Sequence, residues 1–181
     1  MLLPDIKFVA KTAALMSLLF LIPGCPRLSP NVDRTRDLVY GVGYVKDNTA
    51  DSGYRLQKLR FDLLEPTDVP ASNRPAVLMI HGGSFAGGSK ADEDLVNVAD
   101  GLASEGYVCF LIDYRVDSDE PPVVDSWNPE AQTTKDIEIP SLAAVRAAFV
   151  DAKTAMRHIR ANSGSYGIDP NRIAIWGESA G

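Results

Sequence analysis

At 181 residues the chain is one domain's length, enough to bury a sizeable core. Its 45% hydrophobic and 23% charged residues are ordinary globular composition, and a net charge of −6 argues against nucleic acid or an anionic membrane surface as partner. Two cysteines, Cys25 and Cys109, cannot build a disulfide framework, and no His/Cys cluster suggests a metal.

Lys7 and Lys11 precede the apolar run from Thr12 to Ile22, a charged n-region and an h-region too short to span a bilayer. Residues 1–25 are therefore expected to be a signal peptide and the protein to be exported: periplasmic, in the cell envelope or extracellular. Gly24 followed by Cys25 resembles the lipobox of bacterial lipoproteins, which offers Cys25 for lipidation and membrane anchoring. Plain signal cleavage is the alternative. Residues 26–37, polar and Pro-containing, read as a linker, which leaves 38–181 for the fold.

Leu38 to Val45 has the alternating character of a first strand, and Tyr54 to Leu64 that of a second, half-buried and antiparallel to its neighbour. Ala76 to Ile80 is continuously apolar, as a strand covered on both faces would be. A helix is predicted over Ala91–Ser104, a buried strand over Tyr107–Ile112, and a long acidic loop over 116–138, either a lid or binding loop in which Trp127 could pack over a site or a disordered surface insertion. Leu142, Val145, Phe149, Ala152, Met156 and Ile159 recur at helical spacing within Ser141–Asn162, and Arg172 to Trp176 reads as the last strand. The order is that of an α/β protein with a mostly parallel sheet and right-handed βαβ units in its later half.

Two motifs carry chemistry. The last five residues, Gly177-Glu178-Ser179-Ala180-Gly181, form G-x-S-x-G directly after the last strand. A chance match is expected roughly one time in twenty in such a chain, so the preceding strand matters. It fits a strained strand-to-helix turn that lifts Ser179 out of the sheet as a nucleophile, with Gly177 and Gly181 leaving room for neighbouring backbone. His81-Gly82-Gly83-Ser84 follows the third strand, where an HGGG-type oxyanion hole belongs. Backbone N–H groups aimed at a developing oxyanion stabilise it without reorganising. A plain Gly-rich turn is the bland reading of either motif alone. Both together, each after a buried strand and in this order, favour acyl transfer. A phosphate loop does not fit: the second glycine of the spacing is followed by Gly88, and Lys90 comes two places late.

With HGGSFAGG, the DYR after the fourth strand, YGIDPNRI and GESAG in hand, residues 38–181 resemble the N-terminal part of an α/β-hydrolase of the carboxylesterase–lipase type, near hormone-sensitive-lipase-like and bacterial exported esterases. The resemblance implies Ser179 as nucleophile, an oxyanion hole of the Gly83, Ser84 and Ala180 N–H groups with Gly82 in the same loop, a structural His81, no cofactor, and a small-molecule ester as substrate. It also implies a third strand beside the fifth. Family members usually carry glycine where this chain has Ser84, which restricts the backbone there. The family's triad acid and histidine follow the elbow, so neither His81 nor His158 is expected to be the base, and the sheet is expected to be truncated after the elbow and the isolated chain inactive. Two other readings stay open: a non-catalytic binding protein on the same scaffold, and a serine peptidase of the prolyl-oligopeptidase type.

Overall fold

The computed structural model describes residues 32–122 and 142–181. The readings on residues 1–25, on Cys25 and on Trp127 lie outside the described residues. In chain order the elements are β1 (Val32–Lys46), β2 (Tyr54–Pro66), β3 (Arg74–Ile80), α1 (Glu93–Ser104), β4 (Val108–Ile112), a short 3-10 turn (Asp117–Asp119), α2 (Leu142–Ala161) and β5 (Ile168–Gly177).

The strands form one sheet in the order β1-β2-β4-β3-β5. β2 is antiparallel to both β1 and β4, while β3 runs parallel to β4 and β5. Only β2 therefore opposes the other four, and β3 does lie beside β5. Apolar side chains alternate across the pleat. Val77, Met79, Cys109 and Leu111 meet Leu95, Ala99 and Ala103 of α1 on one face. Leu78, Phe110, Ile112, Phe61 and Leu59 meet Ala155 and Ile159 of α2 on the other. The central strands carry unbroken apolar runs because a helix covers each face, and β4 is buried along its whole length.

One expectation needs correction. The linker does not extend to residue 37: β1 already starts at Val32. Its first residues are polar because they sit on an edge strand, paired through Val32↔Pro66 to Thr35↔Leu63, with Arg34 reaching Asp100 of α1 at 3.0 Å. The register then slips between Thr35 and Leu38, where Asp37 adopts φ +59°, a bulge that re-aims this stretch of strand.

In α2 the helical spacing of the apolar residues does not mark the buried face: Leu142 and Phe149 are exposed, Phe149 by 61%. The buried stripe is Ala143, Ala144, Ala147, Ala148, Asp151, Ala155 and Ile159. Alanines let the helix axis approach the sheet closely. Asp151 tolerates burial because Arg115 supplies its N–H, Nε and Nη2 to the carboxylate at 3.0, 2.9 and 2.7 Å. The larger apolar residues form a second stripe, where Phe149, Ala152 and Met156 line a groove with Ile80 and Ile175.

Candidate active site

The parallel arrangement of β3 and β5 brings the loop after each to the same edge of the sheet, the position at which ligands bind in open α/β sheets. Ile80 pairs with Gly177, so the two chains leave the sheet side by side. Beyond Gly177 the backbone turns sharply, the Gly181 N–H donating to Glu178 O at 2.7 Å. Ser179 takes φ +54°, a left-handed conformation that costs a non-glycine residue on the order of 1–2 kcal/mol. Its side chain is exposed.

The flanking glycines have a concrete reason. A Cβ on Gly181 would lie 2.2 Å from Ile80 O, and one on Gly177 would lie 2.3 Å from the Gly181 carbonyl carbon. A Cβ on Gly82 would stand 3.4 Å from Ser179 Cβ and 3.2 Å from Glu178 O. The His-Gly-Gly-Ser loop and the Ser179 turn thus lie so near each other that one added methyl on Gly82 would bridge them.

The loop itself is folded back on its own start. Ala86 and Gly87 donate their N–H groups to Gly83 O at 2.9 and 3.2 Å. Gly83 has φ +116°, with no room for a side chain against Gly87 O. Ser84 and Phe85 follow with φ +54° and +60°. The sequence expectation of a restricted backbone at Ser84 is met: the residue sits in the region that favours glycine. Among the described residues, the N–H groups of Gly83, Ser84 and Ala180 donate to no protein acceptor. Three donors at one sheet edge, beside a serine hydroxyl, can hold a negatively charged oxygen.

Neither histidine faces this edge as a free base. His81 is 2% exposed, its Nδ1 lies 2.7 Å from Gly82 O, and its ring stacks on Tyr114 at 4.2 Å and 11°. His158 belongs to the α2 side of the core, with Nε2 2.9 Å from the Tyr166 hydroxyl and its ring against Phe61. Burial holds the His158 pKa below the usual imidazole value. Cys109, fully buried with its thiol donating to Ala99 O, is pushed up to about 12 by burial and then by the Asp100 charge, which makes it an inert packing residue. Among the described residues no group of three or more His, Cys, Asp or Glu side chains could hold a metal ion, and no helix is long and apolar enough to cross a membrane.

Sequence reasoning missed the residues beneath the loop. In the sequence Lys90 figures only as a lysine two places late for a phosphate loop, and Asp113 only as the first residue of the DYR after the fourth strand. The structure puts Lys90 Nζ 3.1 Å from Asp37, 3.2 Å from Asp62 and 3.6 Å from Asp113. Asp62, 7% exposed, is a buried carboxylate and needs such a partner. Burial pulls the Lys90 pKa down, but the hydrogen bond that Lys90 donates to Asp37 and the charges of Asp113 and Asp62 outweigh it, and the net direction is upward. The only hint in the sequence is that Asp113 follows a buried strand, where such loops gather.

Comparison with known proteins agrees with this geometry. The sequence matches the BD-FAE family over residues 61–123 and 137–181, more than half of the chain. It is 32% identical to Esterase LipC of Mycobacterium tuberculosis over 120 residues, which is 66% of this chain and 24% of LipC. It is 30% identical to Carboxylesterase 3B of Mus musculus over 125 residues, 68% of this chain and 19% of that protein. The chain thus spans about a quarter or less of these relatives' lengths. Among solved structures, the Thermogutta terrifontis esterase Est2 superposes with a TM-score of 0.53 at 25% identity, over 86% of this chain and 42% of its own. On its sequence and its fold, the chain belongs to the BD-FAE family and to the carboxylesterase type of α/β-hydrolase.

Proposed function

We propose that the protein is a serine carboxylic-ester hydrolase that works through an acyl-enzyme. The observation that carries this reading is the left-handed Ser179 at the end of β5, beside a Gly-rich loop in which, among the described residues, the Gly83 and Ser84 N–H groups donate to no protein acceptor. Ser179 Oγ attacks the ester carbonyl, and the carbonyl oxygen becomes an oxyanion. The N–H groups of Gly83, Ser84 and Ala180 receive it. Losing one such donor typically costs about 3 kcal/mol of barrier. The alcohol then leaves, and water releases the acid from Ser179.

A hydroxyl needs a base, and both histidines of the chain have structural partners. In this reading the base and its orienting acid come from outside these 181 residues. The relatives leave room for that, since three-quarters or more of LipC lies outside the matched stretch. Their names, Esterase LipC and Carboxylesterase 3B, favour an ester over a peptide as substrate. For location, the reading remains an exported protein with Cys25 as lipid acceptor, and Cys25→Ser is expected to abolish incorporation of radiolabelled palmitate.

The test uses the full-length gene product. A fluorophosphonate probe is expected to label Ser179, located by mass spectrometry of the modified peptide. Ser179→Ala is expected to abolish both labelling and p-nitrophenyl acetate hydrolysis. Undiminished hydrolysis by Ser179→Ala would overturn the proposal.

A further inference from the structure

We infer that Lys90, Asp113 and Tyr114 form a clasp that sets the position of the Gly83 and Ser84 N–H groups, which makes Lys90 a positioning residue for the reaction. The inference rests on the ester-hydrolase reading of Ser179 and its loop.

The loop leaves β3 at Ile80 and is free of the sheet until Lys90. Both of its ends are held from one place, the C-terminal end of β4. At the first end the Tyr114 ring stacks on His81, and the Tyr114 hydroxyl donates to His81 O at 2.9 Å. At the second end Asp113 Oδ1 accepts the Lys90 N–H at 2.7 Å, while Oδ2 lies 3.6 Å from Lys90 Nζ. The ends also meet each other: a Cβ on Gly88 would lie 2.4 Å from Gly82 O and 2.5 Å from His81 Nδ1. The crest is tied down by the Asp117 N–H, which donates to Phe85 O at 2.7 Å. Gly83 and Ser84 lie inside this closed ring.

Asp113 is rigid in turn. Its N–H donates to Arg60 O at 2.9 Å and its carbonyl accepts the Tyr40 hydroxyl at 2.7 Å. Lys90 extends the grip to Asp62 on β2 and to Asp37, whose bulge conformation also lets its N–H donate to Asp62 Oδ1 at 3.0 Å. With three carboxylates around it, the Lys90 ammonium is committed to them and offers no charge to an oxyanion. Its contribution is geometric. Displacing a catalytic donor by about 1 Å can cost on the order of a hundredfold in rate, so the clasp has a kinetic consequence beyond folding.

The test compares Lys90→Met, Lys90→Arg and Tyr114→Phe in the full-length gene product. Lys90→Met is expected to lower kcat by about 10–100-fold with KM within twofold. Affinity for a boronic acid, which mimics the tetrahedral species, is expected to fall by the same factor. Lys90→Arg restores most of the loss, and amide exchange at residues 83–89 quickens in Lys90→Met while that of β3 and β4 stays slow. Unchanged kcat in Lys90→Met, a loss carried entirely by KM, or unchanged exchange at 83–89 would overturn the inference. Should Lys90→Met not fold, Tyr114→Phe decides: it keeps the ring stack and loses only the hydroxyl bond, and an unchanged kcat in it is equally fatal. The exchange readout needs no turnover, so it separates failure of the clasp from failure of the Ser179 reading, which wild-type labelling reports.

Discussion

Left-handed backbone at Gly83, Ser84, Phe85 and Ser179 concentrates conformational cost at one edge of the sheet. Such cost persists only where surrounding contacts impose it, and here the contacts are the loop's own ring and the approach of Gly82 to Ser179. Ser84 is the one member whose side chain gives no evident return. Ser84→Gly removes the Cβ penalty but adds unfolded-state entropy, so a net gain of about 0.5 kcal/mol is expected, read from the urea midpoint. Gly88→Ala goes the other way. With φ +95° and His81 and Gly82 within 2.5 Å of the new Cβ, it is expected to lower stability by about 2–4 kcal/mol and to lower kcat with it. The motif residues Ser179, Gly82 and Gly83 could be read from the sequence because their chemistry demands particular residue types at fixed spacing. Lys90, Asp62 and Asp37 could not, because their meeting depends on a bulge in β1 and on the neighbours of β4, neither of which leaves a local pattern.

At the level of elements, helix α2 carries the clearest conflict between pattern and packing. Helical period was legible across Leu142–Ala161, but which stripe faces the sheet was not, since both an alanine stripe and a Phe149–Met156 stripe satisfy the spacing. Arg115 decides it by drawing Asp151 inward. Asp151→Ala strands the Arg115 guanidinium, which is only 11% exposed, and is expected to cost about 3–5 kcal/mol in a urea melt. A paired Arg115→Met, Asp151→Leu change is expected to recover much of that, since no charge is left buried. The end of α2 also sets a pH dependence. His158 is held neutral by burial against Phe61 and Tyr166, so its folded pKa lies below 6.5. Unfolded chains then bind the extra proton first. Stability is full above about pH 6.5, falls as the pH drops through that value, and levels off below the folded pKa. Urea midpoints from pH 8 to pH 5 are expected to show this slope in the wild type and to lose it in His158→Gln.

For the molecule as a whole, the burial of β3 and β4 follows from apolar runs visible in the chain, the pairing of β3 with β5 follows from the family resemblance, and the exposed edge of β5 follows from a sheet truncated after the elbow. The β5 sequence, Arg172 to Trp176, reads like a strand with neighbours on both sides. Among the described residues it pairs only with β3, and Ile175 is 63% exposed beside Phe149 on the α2 groove. An unpaired edge next to an apolar surface is a template for association. Expressed as these 181 residues alone, the protein is therefore expected to bind anilinonaphthalene sulfonate, to aggregate at micromolar concentration, and to hydrolyse no ester. Placing charge on the surface tests whether that surface is the cause. Phe149→Lys with Ile175→Lys is expected to reduce dye binding and aggregation while leaving the far-ultraviolet spectrum unchanged, because neither side chain contributes to the buried stripe of α2 or to the β3–β5 hydrogen bonds. The full-length gene product is expected to bind little dye and to need no such change. A 181-residue chain that melts sharply, stays monomeric and ignores the dye would show instead that the edge is tolerated as it stands.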